Sequence, residues 1–243
     1  MGVFDEHKDE LFITYRVGID FRDKLMGGVP MNPKIIEGWL RSKMGVTDDD
    51  EVFILMRRTL EDLGAELPAE PTVDDLIAAS EALADVKQTN GFKRDDDGLY
   101  IESRQVKAML KEVTNILFAG TRWGPTRKSP KGFFAERVFP ADDRLHLSRT
   151  EPDGVDLFIG HVSGPNGQQS TVTYYQYVQR ASIEFDLLVT KDAEEVIAEH
   201  WPTMWLLAQE NALGALRSQG FGRFDVVGWE KVGAKKGRKV KVA

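Results

Sequence analysis

Two stretches in which every second residue is apolar constrain the fold of this chain most. Between Leu11 and Phe21 every second residue is apolar, and the same pattern recurs between Ala181 and Val189. A period of two sends successive side chains to opposite faces of a strand, so each stretch predicts a long strand with one buried face. Such a face has to be covered by another layer. We therefore expect one sheet with helices packed on one side.

Helical patterns lie between and after these strands. Residues 103–117 have the clearest amphipathic spacing, which predicts a helix with one core face. Its apolar residues are Val106, Met109, Leu110, Val113, Ile116 and Leu117. A helix is also predicted from Asp192 to Glu199 and another from Pro202, since proline suits a first helical turn. The stretch Phe224–Val232 then predicts a last strand.

The order of the elements predicts an α+β fold. Strand, helix, extended pair, helix and strand is the order of a ferredoxin-like (RRM-like) βαββαβ core, with both helices on one sheet face and the other face open for binding. We assign residues 1–45 and 91–243 to this core, with a helix expected over 35–44. Residues 46–90 are interpreted as an acidic helical insertion that ends in a loop from Asn90 to Gly98.

The composition of the 243 residues excludes several classes of protein. The chain has no cysteine, which rules out disulfides, thiolate zinc sites and cysteine nucleophiles and agrees with a reducing compartment. No apolar run approaches the roughly 20 residues that cross a bilayer. We therefore expect a cytoplasmic protein that does not act at a membrane, and we expect no cofactor and no metal.

The charge is distributed unevenly. The whole chain carries a net charge of −7, but residues 101–150 carry a net charge of +5. Arg104, Lys107 and Lys111 are spaced to form one stripe on the predicted helix. Residues 120–132, which contain no acidic residue, predict a mobile basic loop. Its cations are Arg122, Arg127, Lys128 and Lys131. Stripe and loop together predict a surface for phosphates.

A glycine-rich segment stands between the last predicted helix and the last predicted strand. Gly214, Gly220 and Gly222 permit positive φ and close approach of the backbone, and Arg217 and Arg223 flank them. Two interpretations stay open. Successive N–H groups form a nest for an anion in one, and in the other the glycines end a helix and form a tight turn.

The segment GALRSQGFGRF, residues 214–224, resembles the C-terminal glycine-rich motif of the RAMP superfamily, the ferredoxin-like RNA-binding subunits of CRISPR effector complexes. GLYIESRQVKAMLK, residues 98–111, is similar to the strand-to-helix segment of the backbone subunits. There the resemblance implies that an exposed Ser103 and nearby cations meet guide-RNA phosphates. It implies single-stranded guide RNA and other effector subunits as partners, in a homo- or hetero-oligomer.

Catalysis is not part of the leading hypothesis. His146, near Arg144 and Arg149, is the residual catalytic candidate if the chain is instead a metal-independent endoribonuclease that processes guide RNA. A third hypothesis is a structural or assembly protein that uses the fold without nucleic acid. The aromatic run at residues 174–177 predicts either base stacking in a single-strand groove or ordinary strand packing.

Overall fold

A computed structural model describes residues 7–31, 51–62, 65–82, 89–164 and 167–232. The helix expected over 35–44 and the basic segment 235–241 lie outside the described residues. By its internal contacts the chain divides into two compact units. The first comprises Met1–Leu25, Tyr100–Arg149 and Gln179–Ala243, and the second comprises Met26–Leu99 and Thr150–Val178.

Strands and helices alternate along the described parts of the chain. The strands are β1 Phe12–Phe21, β2 Lys24–Met26, β3 Val29–Pro30, β4 Thr89–Gly91, β5 Lys93–Asp95, β6 Gly98–Glu102, β7 Val138–Pro140, β8 Arg144–His146, β9 Gly154–Gly164, β10 Gly167–Gln179, β11 Ser182–Thr190 and β12 Phe224–Val232. The helices are α1 Lys8–Leu11, α2 Glu51–Asp62, α3 Val73–Ala82, α4 Ser103–Leu117, α5 Pro130–Arg137, α6 Lys191–Ile197 and α7 Trp201–Asn211.

The first unit is built on a four-stranded antiparallel sheet in the order β12-β1-β11-β7. In chain order, α4 lies between β1 and β7, and α7 lies between β11 and β12. The first and third strands of the core, β1 and β11, are thus central. The fourth and second, β12 and β7, lie at the edges. This arrangement is the split βαβ of the ferredoxin-like fold, and it confirms the predicted α+β core.

One face of this sheet carries the core. In β1 the odd-numbered residues Tyr15, Val17, Ile19 and Phe21 are buried. Helix α4 packs against α7 and β7, and α7 packs against β12. Val106, Met109, Leu110 and Val113 supply the buried stripe of α4. Ile116 was expected in that stripe, but it is 56% exposed. At about 100° per residue Ile116 lies at the margin of the arc that the buried residues form.

Three local predictions are wrong. The expected loop from Asn90 to Gly98 contains β4, β5 and the start of β6. The expected basic loop over 120–132 is an ordered turn followed by the start of α5. Ser129 is the N-cap of α5, since its Oγ accepts a hydrogen bond from the Gly132 N–H, and Pro130 occupies the first turn. Phe134, predicted in extended chain, lies inside this helix.

The second unit contains α2 and α3, which pack through Phe53, Met56, Leu60 and Leu76. Thr72 caps α3 by a reciprocal pair of hydrogen bonds with Asp75. The hairpin of β9 and β10 belongs to this unit as well, and β10 pairs in parallel with β4. The unit thus extends beyond residues 46–90, and a separately folding insertion with those bounds stays a prediction.

Candidate nucleic-acid interface

The start of α4 does not present Ser103 to solvent. Ser103 is the first residue of the helix, its N–H donates to the Asp143 carbonyl oxygen at 2.9 Å, and it is only 9% exposed. The exposure implied by the family resemblance is therefore wrong. The chain before β8 contacts the first turn of α4 through this backbone hydrogen bond.

The next two turns of α4 carry the predicted basic stripe. Arg104 is exposed, but its Nε donates to a carboxylate oxygen of Glu102 at 2.9 Å. Lys107 is half-buried and holds its Nζ 4.0 Å from the centre of the Phe139 ring. Burial, and then the charge of Lys111 one turn later, lower the pKa of Lys107. Two close ammonium groups with no carboxylate partner among the described residues therefore remain on this face.

The turn after α4 is ordered around a buried tryptophan. Trp123 and Lys128 form an antiparallel bridge, and the Trp123 ring packs against Phe133 and lies parallel to His200. Arg127, at the end of the turn, has a positive φ of 52°. The backbone geometry thus holds the basic segment in a compact shape.

The cations of this turn are not equivalent. Lys128 is neutralised by Glu136, with 2.5 Å between the amine nitrogen and a carboxylate oxygen. Arg122 and Arg127 are exposed and pair with no carboxylate among the described residues. Only the two arginines thus keep an uncompensated charge at this turn.

Glu112 joins α4 to the glycine-rich turn. One of its carboxylate oxygens accepts a hydrogen bond from the Arg217 guanidinium at 3.2 Å. Burial of Glu112 acts to raise its pKa, but hydrogen bonds from Arg217 and Asn211 and the charge of Lys131 outweigh it, and the pKa is lowered. Lys131, in the first turn of α5, is exposed and has no carboxylate in hydrogen-bond contact among the described residues. Its charge acts on Glu112, which places Lys131 near that part of α4.

The glycine-rich turn has the positive φ values that the sequence predicts: 80° at Gly214, 91° at Gly220 and 73° at Gly222. Its N–H groups are largely used inside the protein. The Gly220 N–H donates to the Arg217 carbonyl and the Gly222 N–H to the Lys24 carbonyl, both at 2.9 Å. A methyl group on Gly222 would lie 1.8 Å from the Leu213 carbonyl oxygen. The geometry favours a tight turn over an anion nest.

The arginines beside this turn are compensated. A cleft of about 300 Å³ lies between the turn and residues 22–24. Arg22 donates to Glu210 at 2.5 Å and to Asp225 at 2.9 Å, and Arg223 lies 3.5 Å from Glu210. With Arg217 held by Glu112, each of these guanidinium groups already has a carboxylate. Among the described residues, cations without a carboxylate partner therefore remain on α4 and on the segment that follows it.

The open face of the sheet, which was expected to be available for binding, is acidic. Arg16 on β1 lies opposite Asp186 on β11 and Glu230 on β12. Its Nε donates to Asp186 at 3.0 Å. Two rows further along, Asp20 lies directly opposite Asp225. These acidic side chains disfavour phosphates at this part of the open face.

His146 lies in β8 opposite Tyr100 of β6, with 5.8 Å between the ring centres. The Arg149 guanidinium donates to the carbonyl oxygens of Ser148 and Gln179 and is oriented by them. A catalytic role for His146 stays a prediction. In the second unit Tyr174, Tyr175 and Tyr177 are all half-buried in β10, and Tyr175 meets Phe158 edge-on.

Sequence reasoning identified the cations of this surface but missed the residues that neutralise them or shape them. The cations that remain available to a phosphate depend on three such residues, Glu112, Glu136 and Phe139. Glu136 is the one with a signal in the sequence, since it follows Lys128 within a short segment. Glu112 meets an arginine 105 residues away, which no local pattern indicates.

Comparisons with known proteins give a distant structural similarity. No protein-family model matches the chain, and no curated protein matches it. Among solved structures, a chain of the cryo-EM structure of the Type III-B Cmr-beta bound to cognate target RNA aligns with a TM-score of 0.46 and 13% sequence identity. The alignment covers 94% of this chain and 63% of that one. Similarity this distant does not say what this chain binds.

Among the described residues, no helix is both long and apolar enough to cross a bilayer.

Proposed function

We propose that this chain is an RNA-binding subunit of the RAMP type that holds the phosphate backbone of single-stranded RNA. The observation that carries the proposal is the pair Lys107 and Lys111 on α4. Burial, and after it the charge of Lys111, lower the pKa of Lys107, and neither lysine pairs with a carboxylate among the described residues. They occupy the outer surface of a helix that a ferredoxin-like core holds rigidly.

A phosphate near this pair reduces two unfavourable effects on Lys107 at once. It compensates the partly buried charge of Lys107 and screens its repulsion from Lys111. Lys131, Arg122 and Arg127 extend the positive surface along the segment after α4. Contacts of this kind position a nucleic-acid backbone and do not read its sequence.

The wider assignment rests on the resemblance of residues 98–111 and 214–224 to RAMP backbone subunits, together with the ferredoxin-like strand order. We propose guide RNA as the ligand, a CRISPR-type ribonucleoprotein as the assembly, and like subunits along the RNA as the neighbours. Ser103, Arg217 and Gly222 then support the fold of the interface, because Ser103 is buried, Arg217 is paired with Glu112 and Gly222 is closely packed. Gly214 and Gly220 supply positive φ values in the same turn. The proposed setting is the cytoplasm.

The test is a titration of a fluorescent single-stranded RNA at several salt concentrations. Each lost phosphate contact lowers the slope of log affinity against log salt by about 0.7 for a single strand. We expect Lys111→Glu to weaken binding and reduce this slope. Lys191→Glu, the same charge change at an exposed lysine that begins α6, is the matched control. Affinity that does not respond to salt, or an equal loss in both variants, would refute the proposal.

The acidic open face favours a second candidate, an assembly protein that uses this fold without nucleic acid. Purification separates the two. An RNA-binding subunit is expected to co-purify with short RNA and show a high ratio of absorbance at 260 nm to that at 280 nm. Protein that is free of nucleic acid and binds no added single-stranded RNA would support the assembly role.

A further inference from the structure

Phe139 is an aromatic residue whose position is fixed at the edge of the sheet in the first unit. It lies in β7, an edge strand, and pairs with Leu188 of β11. Its ring meets the ring of Phe12 edge-on, with 6.2 Å between the ring centres and 86° between their planes. Phe12 in turn pairs with Thr190 at the start of β1. Backbone pairing and contact with a second ring thus both hold Phe139.

The ammonium group of Lys107 lies against this ring. Its Nζ is 4.0 Å from the centre of the Phe139 ring, well within the roughly 6 Å over which the electron-rich face of a ring attracts a cation. Lys107 is half-buried and has no carboxylate partner among the described residues. A lysine has a flexible four-carbon stem, so a cation of this kind is not ordered by its own covalent structure. The contact with the ring therefore fixes where the ammonium group lies.

An aromatic partner orders this cation without cancelling its charge. Burial and the charge of Lys111 both lower the pKa of Lys107. The negative face of the Phe139 ring acts in the opposite sense, because it stabilises the charged form. A carboxylate in the same place would neutralise the ammonium group, as Glu136 does for Lys128. Next to Phe139, the charge of Lys107 stays available to an anion.

Building on the proposed function of Lys107 as a phosphate contact, we propose that Phe139 is a positioning residue for RNA binding. Its ring holds the Lys107 ammonium group in place on α4 without itself contacting the RNA. A side chain that is already ordered loses less conformational entropy when it binds. The ring should therefore increase the affinity for single-stranded RNA about two- to tenfold.

NMR of the full chain without RNA tests whether the ring holds the ammonium group. Reductive methylation places ¹³C-labelled methyl groups on lysine amines and keeps their positive charge, and Lys107→Arg identifies the Lys107 signal. We expect the ring current of Phe139 to displace this signal upfield in wild type and in Phe139→Tyr. Lys191, an exposed lysine that begins α6, is the reference. A Lys107 signal at the position of the Lys191 signal would overturn the proposal.

Titrations with a fluorescent single-stranded RNA test whether the contact serves binding. Phe139→Leu keeps an apolar side chain but removes the aromatic face, and it should weaken binding about two- to tenfold. Phe139→Tyr should retain the affinity of wild type. Phe12→Leu is the matched control, because it changes the same pair of rings but not the ring beside Lys107, and it should leave the affinity unchanged. In a Lys107→Gln background, Phe139→Leu should have no further effect, since the ring acts through that ammonium group.

The outcomes distinguish a failure of the positioning role from a failure of the proposed function. RNA binding that Lys111→Glu weakens and Phe139→Leu does not would overturn the positioning role alone. Equal losses in Phe139→Leu and Phe139→Tyr, or an undiminished loss in the Lys107→Gln background, would also overturn it, because the ring would then act on the fold. Wild type that binds no RNA would refute both. The NMR measurement needs only wild type and Phe139→Tyr, so it decides even where Phe139→Leu does not fold.

Discussion

Gly222 offers the sharpest test of how the glycine-rich turn works. Its φ of 73° costs a residue with a side chain about 1–2 kcal/mol. In Gly222→Ala the new methyl group would also lie 1.8 Å from the Leu213 carbonyl oxygen, so backbone has to move. That movement breaks the hydrogen bonds Leu213 N–H to Gly222 carbonyl and Gly222 N–H to Lys24 carbonyl, each worth about 0.5–1.5 kcal/mol.

We therefore expect Gly222→Ala to lower the free energy of unfolding by about 2–5 kcal/mol, a large part of the ~5–15 kcal/mol typical of a folded protein. Gly220→Ala is the matched control, because its φ is 91° but nothing lies within 4 Å of the new methyl group. The control should lose only about 1–2 kcal/mol. Urea denaturation followed by circular dichroism measures both. Equal losses in the two variants would show that close backbone approach at Gly222 is not what the turn requires.

Two further changes test the elements around the proposed interface. Glu112→Gln should cost at most about 0.5 kcal/mol at neutral pH, because its pair with Arg217 is half exposed. Since the folded state lowers the pKa of Glu112, this stabilisation is present above the unfolded pKa of about 4.3 and is lost as the pH falls through the folded value. Urea titrations at neutral and acid pH should thus show the difference from wild type vanishing in acid, and a difference that grows there would contradict the assignment. Ser129→Ala should lower stability by about 1 kcal/mol through loss of the α5 N-cap, while Ser129→Asp should retain most of it. An equal loss of stability in both variants would show that the missing N-cap is not its cause.

The main elements of the fold were predictable because their signals are local. Helix α4 and strand β12 begin and end at the predicted residues, since the spacing of apolar side chains reports directly on the buried face. The short strands were not predictable. β4 is three residues long and exists because Thr89 and Asn90 pair with Tyr174 and Tyr175, more than eighty residues away. No local pattern in so short a segment indicates such a partner.

In the proposed interface, too, some features were predictable from local sequence and others depend on residues far apart in the chain. The spacing of the sequence predicts Lys107 and Lys111 on one surface stripe. In the structure, neither lysine has a carboxylate partner among the described residues. Arg217 and Arg223 looked equally suitable for phosphates. The fold brings Glu112 and Glu210 to them, which removes them as the main source of positive charge.

By itself, the sequence determined the two long strands, the helices that cover them and the positions of the cations, because periodicity and charge are properties of neighbouring residues. The tertiary structure decided the strand order, the burial of Ser103, the tight packing at Gly222 and the acidic character of the open sheet face. These depend on pairing between residues far apart in the chain. Electrostatics is the clearest case, since the charge that a surface presents is set by which distant carboxylate the fold places beside each cation.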